Sequence, residues 1–336
     1  MTTTAPSRLS RNAGFALPSV LFVVAMVTLV FLVAIEALAS LAVETRGAIQ
    51  RARFEAAASS AEADVAYQTA TSPLAPRALI TRGSGGPLEA LALDGAPYAL
   101  GPGLTASVQD EAGLINLDAL PLAAKARLFA VMGVAPADRV AMADRLADYT
   151  DADDLRRANG AEADDYVRAG LPPPPNADLT RRAQVEGVMG WGRAVGVERW
   201  RAFADNVTAD PSSVTSNVNT ATEATLETLY GLAPERARAA IAQRARAPFT
   251  GVEALGRAAG VTLHSDAELV YTMPNGRFAL KIEDAPAGLA YRSRVILSPA
   301  DADRPFWIVE PAISSLTAAE KASPPVHALA FPDPAA

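Results

Sequence analysis

Residues 15–35 read FALPSVLFVVAMVTLVFLVAI, twenty-one positions without a charge. At 1.5 Å per residue such a helix is roughly 30 Å long, the thickness of a bilayer's hydrocarbon core. The preceding segment, MTTTAPSRLSRNAG (1–14), holds Arg8 and Arg11 and no acid. Residues 36–55 set Glu36, Glu44 and Glu55 against Arg46, Arg51 and Arg53. The positive-inside rule then keeps the N-terminus in the cytoplasm and sends everything beyond residue 36 across the membrane. A cleaved secretory signal fits poorly, because its apolar region spans about 7–15 residues and ends at a small-residue cleavage site. This run is longer and continues into Glu36. Hydropathy alone leaves a plain signal anchor open.

Helical character persists past the membrane. Residues 36–71 contain no proline and one glycine, Gly47, before Pro73 stops the helix. A single helix from Phe15 to about Ala70 is expected, with the membrane span at 15–35. Its apolar positions (Leu38, Leu41, Ile49, Phe54, Val65) do not keep a heptad, so a coiled coil is disfavoured.

Composition narrows the chemistry. The chain has 336 residues, 50% of them hydrophobic, which suits about two domains with real cores. Thirty basic residues against 37 acidic ones give a net charge of −7, the wrong sign for a chain-wide nucleic-acid footprint. There is no cysteine, which removes disulfides, thiolate metal sites and thiol nucleophiles. The only histidines, His264 and His327, cannot build a multi-histidine centre. An enzyme is therefore not expected, and a membrane-anchored hydrolase ranks last.

After Pro73, turn-rich segments GSGGP (83–87) and GAPYALGPG (95–103) surround short apolar runs, and Leu104–Gln109 alternates like a strand. From Leu117 to Gly260 the pattern is helices split by proline and glycine. Strands return at 268–272, 277–283, 292–297 and 306–309. A sheet assembled from both sides of a helical block reads as α+β: sheet from 73–116 and 261–311, an inserted all-α domain at 117–260, and a disordered tail at 312–336.

The junction Gly14–Phe15, a short basic leader ending in Gly before an apolar helix, resembles the class III leader of type IV pilins and type II secretion pseudopilins. The resemblance implies that a prepilin peptidase cuts after Gly14 and methylates Phe15, leaving the helix (15–72) as a polymer stalk. The fifth residue after the cut is Ser19, where major pilins carry Glu, as expected for a subunit with none beyond it. DEAGLINLDAL (110–120), LADYTDADDLRRANGAEADDY (146–166) and SNVNTATEATLETLYGL (216–232) then resemble the general secretion pathway protein K family, over roughly residues 11–310. This implies a pilin-like α/β roll with a helical, SAM-like insertion, in the bacterial inner membrane with the bulk periplasmic. It implies a minor pseudopilin at the tip of the pseudopilus, initiating assembly or limiting its length. The implied partners are I- and J-type minor pseudopilins, other pseudopilins, the peptidase, and the secretin or an exported protein.

Residues 144–168 hold eight acids against four arginines, so more than half of the chain's net charge sits in 25 residues. Crowded carboxylates repel one another, and a hard divalent cation with six to eight oxygen ligands relieves this. Asp151, Asp153, Asn159 and Glu162 fall at EF-hand positions 1, 3, 9 and 12, but Arg156 stands where that loop needs Gly. A solvated, arginine-compensated surface is the plainer alternative. In K-type pseudopilins the corresponding loop binds calcium, and the resemblance points to calcium held by Asp151, Asp153, Asp154, Glu162 and Asp165.

Residues 217–255 suggest a helix-hairpin-helix, and with it a pilin-like DNA-uptake component as the alternative function. Its hairpin, Gly231-Leu232-Ala233-Pro234, lacks the second Gly and an N–H at Pro234. Arg236, Arg238, Arg244 and Arg246 could meet phosphates, yet Glu223, Glu227, Glu235 and Glu253 dilute them. No nucleic-acid partner is expected. Trp191, Trp200 and Phe203 are assigned to a core.

Overall fold

The computed structural model describes residues 16–82, 88–101, 103–213, 216–263, 270–301, 303–316, 320 and 327–328. The chain divides into two units, residues 1–56 and 57–336. Helix α1 (Ala16–Thr71) begins in the first and ends in the second. In the first unit its apolar side chains, among them Leu17, Phe22, Val27, Phe31 and Leu38, are exposed. An 18-residue window has mean hydropathy 2.8, and α1 is the one described helix long and apolar enough to cross a membrane. Gly14 and Phe15 lie outside the described residues.

In the second unit the final turns of α1 bury Ala58, Ala61, Glu62, Val65, Ala66 and Thr69, the i, i+3, i+4 stripe of a helix laid on a core. Glu62 accepts a 2.8 Å hydrogen bond from the Tyr291 hydroxyl, which gives this buried carboxyl a partner. Pro73 follows the helix end, as expected from its missing N–H.

Strands β1 (Leu74–Ala75), β2 (Ala78–Arg82) and β3 (Leu88–Ala92) form a small antiparallel sheet where the sequence shows only turns around apolar runs. The main sheet starts with β4 (Asp94–Gly101) and β5 (Leu104–Asp110). Gly103 turns the chain between them with φ 79°, a region open to glycine. The chain then makes β6 (Ile115–Asn116), α2 (Leu122–Val131), α3 (Pro136–Thr150), α4 (Ala163–Arg168), α5 (Trp191–Ala194) and α6 (Val197–Phe203). Next come β7 (Val207–Thr208), β8 (Ser216–Asn217), α7 (Glu223–Tyr230), α8 (Pro234–Arg244), α9 (Val252–Ala259) and β9 (Val270–Tyr271). The sheet resumes with β10 (Arg277–Asp284), β11 (Leu289–Leu297), β12 (Phe306–Ser315) and β13 (His327–Ala328). Its order is β12-β11-β10-β5-β4-β13, antiparallel except for the parallel β13–β4 pair.

Along β10, Phe278, Leu280 and Ile282 are buried while Arg277, Ala279 and Lys281 are half-buried, the period of two of a strand with one face on a core. Between β5 and β10 lies the helical block, whose described residues gather in two cores. The first gathers Leu128, Phe129, Leu146, Trp191, Trp200 and Val207. The second gathers Val218, Leu226, Ala240, Val252 and Leu255. Trp191 stands edge-on to Phe129 and Trp200 at centroid distances of 6.0 and 5.3 Å, so both indoles are core.

The tail expected from residue 312 does not start there. β12 continues through Pro311 to Ser315, Leu316 is 7% exposed, and Glu320 pairs with Lys281 and Arg292. β12 is an edge strand, which tolerates a proline, and Glu310 beside it adopts φ 55° near a register shift between Arg292 and Arg294.

Where the block meets the sheet, Asp110 is fully buried and has no cationic partner among the described residues. It accepts from the Thr220 hydroxyl (2.7 Å), Asn217 Nδ2 (2.9 Å) and the Ala112 and Asn275 amides (3.2 and 3.4 Å). Burial pushes its pKa up to about 6 despite these bonds. Gly113 is required nearby, since a Cβ there would come within 2.3 Å of the Thr220 carbonyl oxygen.

Candidate metal centre

Helix α3 has Pro136 at its first turn, where no amide hydrogen is needed, and its C-cap is Asp151. Asp144 and Asp148, four residues apart on its buried stripe, organise the loop that follows. Asp148 is fully buried and accepts from Arg157 twice, from the backbone amide (3.1 Å) and from Nη1 (2.6 Å). Asp144 accepts from the amide and side chain of Asn159 at 3.1 and 2.9 Å. Gly160 lies against Asp148 so closely that a Cβ would come within 1.8 Å of its Oδ2. The loop returns to α4 through Glu162, whose amide is capped by Asp165 Oδ2 at 3.1 Å.

Asp151, Asp153 and Glu162 each offer one carboxylate oxygen within 4.8 Å of the others. Glu162 is 6% exposed, and neither of its buried oxygens has a hydrogen-bond partner. Asp151 Oδ1 is likewise buried without one. Burial, then the charges of Asp148, Asp151, Asp154 and Asp153, push the Glu162 carboxyl up to about 7. Arg157 compensates part of this charge by holding Asp151 Oδ2 at 2.5 Å.

The other two expected ligands have hydrogen-bond partners of their own. Asp154 accepts from Asn176 Nδ2 at 3.0 Å. Asp165 is held by the Glu162 amide, Arg156 and Arg168, and these bonds, the first foremost, keep its carboxyl below the usual range. Sequence reasoning missed Asp148 and Arg157 as internal anchors of the loop. The available signal was the four-residue spacing of Asp144 and Asp148 on the apolar stripe of α3. Buried orphan oxygens on clustered carboxylates suit a hard, oxygen-seeking cation, so the donor set fits calcium.

Of the arginines behind the helix-hairpin-helix alternative, Arg244 is buried, while Arg236 and Arg238 have partners within the chain at its surface. Arg244 is 3% exposed and donates to the Val218 and Ala221 carbonyls. Arg238 pairs with Glu223 and Glu235, and Arg236 donates to the Gly260 carbonyl.

Residues 103–203, which carry β5, the first helical core and the acidic loop, match the family described as type II secretion system (T2SS), protein K. No curated protein sequence matches the chain. The fold is similar to a chain of the GspK-GspI-GspJ complex from the enterotoxigenic Escherichia coli type 2 secretion system. That likeness has a TM-score of 0.54 and 16% identity, and covers 81% of this chain and 99% of that one. The chain thus joins an apolar N-terminal helix and an α+β fold to a segment, residues 103–203, that is similar to type II secretion system protein K across the DEAG motif and the acidic loop.

Proposed function

We propose that this chain is a non-catalytic minor pseudopilin that assembles with I- and J-type subunits at the tip of the periplasmic pseudopilus. The observation that carries this reading is the family match over residues 103–203, joined to the exposed apolar turns of α1. The I- and J-type partners are suggested by the solved complex in which the similar chain occurs. Cut after Gly14 and anchored in the inner membrane, α1 associates with the apolar helices of neighbouring subunits by packing. The helical block adds bulk that suits a terminal position, where it initiates assembly or limits length.

The acidic loop is the second part of the proposal. Asp151, Asp153 and Glu162 would hold calcium, with backbone carbonyls and water completing the shell. The ion would supply positive charge that offsets the mutual repulsion of these carboxylates and orders the loop between α3 and α4. Co-expression of tagged full-length protein with the I- and J-type subunits, followed by solubilisation and purification, tests the assembly role. A stable complex of the three is expected. Recovery of this chain alone, from membranes where all three are present, would remove the role.

A further inference from the structure

Between α4 and α5 the chain contains LPPPPNADL (171–179), with four consecutive prolines. Each proline ring fixes φ at about −65° and pushes the residue before it out of the helical region. No cis peptide bond occurs among the described residues, so the backbone of this run is polyproline II. Its three residues per turn make a three-sided rod, with Pro172 and Pro175 on one edge, Pro173 on the second and Pro174 on the third. Pro174 is buried, while Pro172, Pro173 and Pro175 are exposed. The rod therefore rests one edge on the protein and turns the other two to solvent.

Both ends of the rod are fixed. Gly170 (φ 70°) and Asn176 (φ 45°) turn the chain through the left-handed region on either side of it. The Leu171 amide donates to the Tyr166 carbonyl at 2.9 Å, and the amide of buried Leu179 donates to Asp118 Oδ1 at 2.7 Å. Asn176 Nδ2 donates to the Asp153 carbonyl at 3.2 Å and to Asp154 Oδ1 at 3.0 Å. No backbone amide of the described residues donates to a carbonyl of residues 172–175, which leaves those acceptors to solvent or a partner. The surroundings add two further features. Val167 and Leu171 at the entry and Leu155, beside Asp154, at the exit are apolar and exposed by 67%, 41% and 77%. Asp154 and Asp178 are exposed carboxylates without an ion pair among the described residues.

We propose that residues 171–178 are a docking rib, read by a partner protein whose groove is lined with aromatic side chains and rimmed with basic ones. Parallel rings grip the exposed proline edges, and an indole or phenol of the groove donates to a free proline carbonyl. The basic rim meets Asp154 and Asp178. A rod already held in its bound conformation loses little entropy on docking, so a short contact suffices for recognition. The rib lies far along the chain from the apolar turns of α1, and it stands whether or not the acidic loop holds calcium or the chain assembles with I- and J-type subunits.

The test uses the full-length protein in solubilised membranes of its native cells, with photoreactive benzoylphenylalanine in place of Ala177, an exposed residue just past the prolines. After irradiation the adduct is isolated and its crosslinked peptide is sequenced by mass spectrometry. The expected product joins this chain to a different protein, at a peptide that carries Trp or Tyr together with Lys or Arg. Pro172→Ala combined with Pro175→Ala should lower its yield roughly tenfold, and Asp178→Arg should lower it in a salt-dependent way. A synthetic peptide of residues 170–179, added in excess before irradiation, should suppress the adduct, whereas the same peptide with both changes should not. That competition leaves the protein itself unaltered, so it decides the matter even if a variant folds poorly. No adduct, an adduct with a second copy of this chain, an attachment peptide without aromatic residues, or equal suppression by both peptides would each overturn the proposal.

Discussion

At Asp110, desolvation outweighs four accepted hydrogen bonds, so the folded-state pKa near 6 stands above the ordinary 3.8 of an unfolded chain. Between these values the folded protein binds the proton more tightly. The group's contribution to stability is therefore complete below pH 3.8 and lost as pH rises through 6, a swing of up to about 3 kcal/mol. The wild type should gain on Asp110→Asn by an amount of that order as pH falls from 7 to 4. Paired chemical denaturation at the two pH values measures it, and a constant difference would rule it out. At Glu162 the expected behaviour depends on the ion. Calcium at a hundred times its dissociation constant should stabilise the protein by about 2.7 kcal/mol over chelator. Glu162→Gln should lose most of that gain, yet match or exceed the wild type in chelator, because it removes a buried charge repelled by Asp148 and Asp151. Thermal midpoints in the four combinations decide it.

Among the elements, the separation of the helical block into two cores has a measurable effect. Trp191→Ala should cost about 3–5 kcal/mol through the cavity left between Phe129 and Trp200. Amide protection should fall across α2, α3 and α6 and persist across α8 and α9, whose buried side chains belong to the second core, while α7 feeds both through Ala224 and Leu226. Exchange spread evenly over both would show that the cores are one cooperative unit. The helices were legible in the sequence because their boundaries carry punctuation: Pro136 and Pro234 at first turns, Gly231 and Gly260 at ends with φ 64° and 65°. Strands β5 and β10 were legible through alternation. β2 and β3 were not, since five-residue strands between glycine-rich turns give too few periods to register. β12 was cut short at Val309 because Glu310-Pro311 reads as a break, whereas an edge strand absorbs both. In the acidic loop, charge density marked the place. It could not rank the carboxylates, because which of them keep unpartnered oxygens depends on where Arg156, Arg157, Arg168 and Asn176 reach.

For the whole molecule, the decisive measurement concerns the N-terminus. Mass spectrometry of protein purified from membranes should find a first peptide that begins at Phe15, N-methylated, with the apolar stretch intact. Retention of Met1, or removal of residues 15–35, would be incompatible with a pilin-type subunit. The second unit has its own large-scale consequence. Phe278 is the cross-strand partner of Asp110, so the helical block departs from and rejoins the sheet at directly facing positions of two antiparallel strands. Facing residues in such a pair lie only about 5 Å apart. Everything in the intervening 167 residues is thus, topologically, an overgrown hairpin loop. Evolution could enlarge, trim or exchange that crown while the strand register beneath it stays fixed, with the ring of donors around Asp110 as the collar that any replacement would have to rebuild.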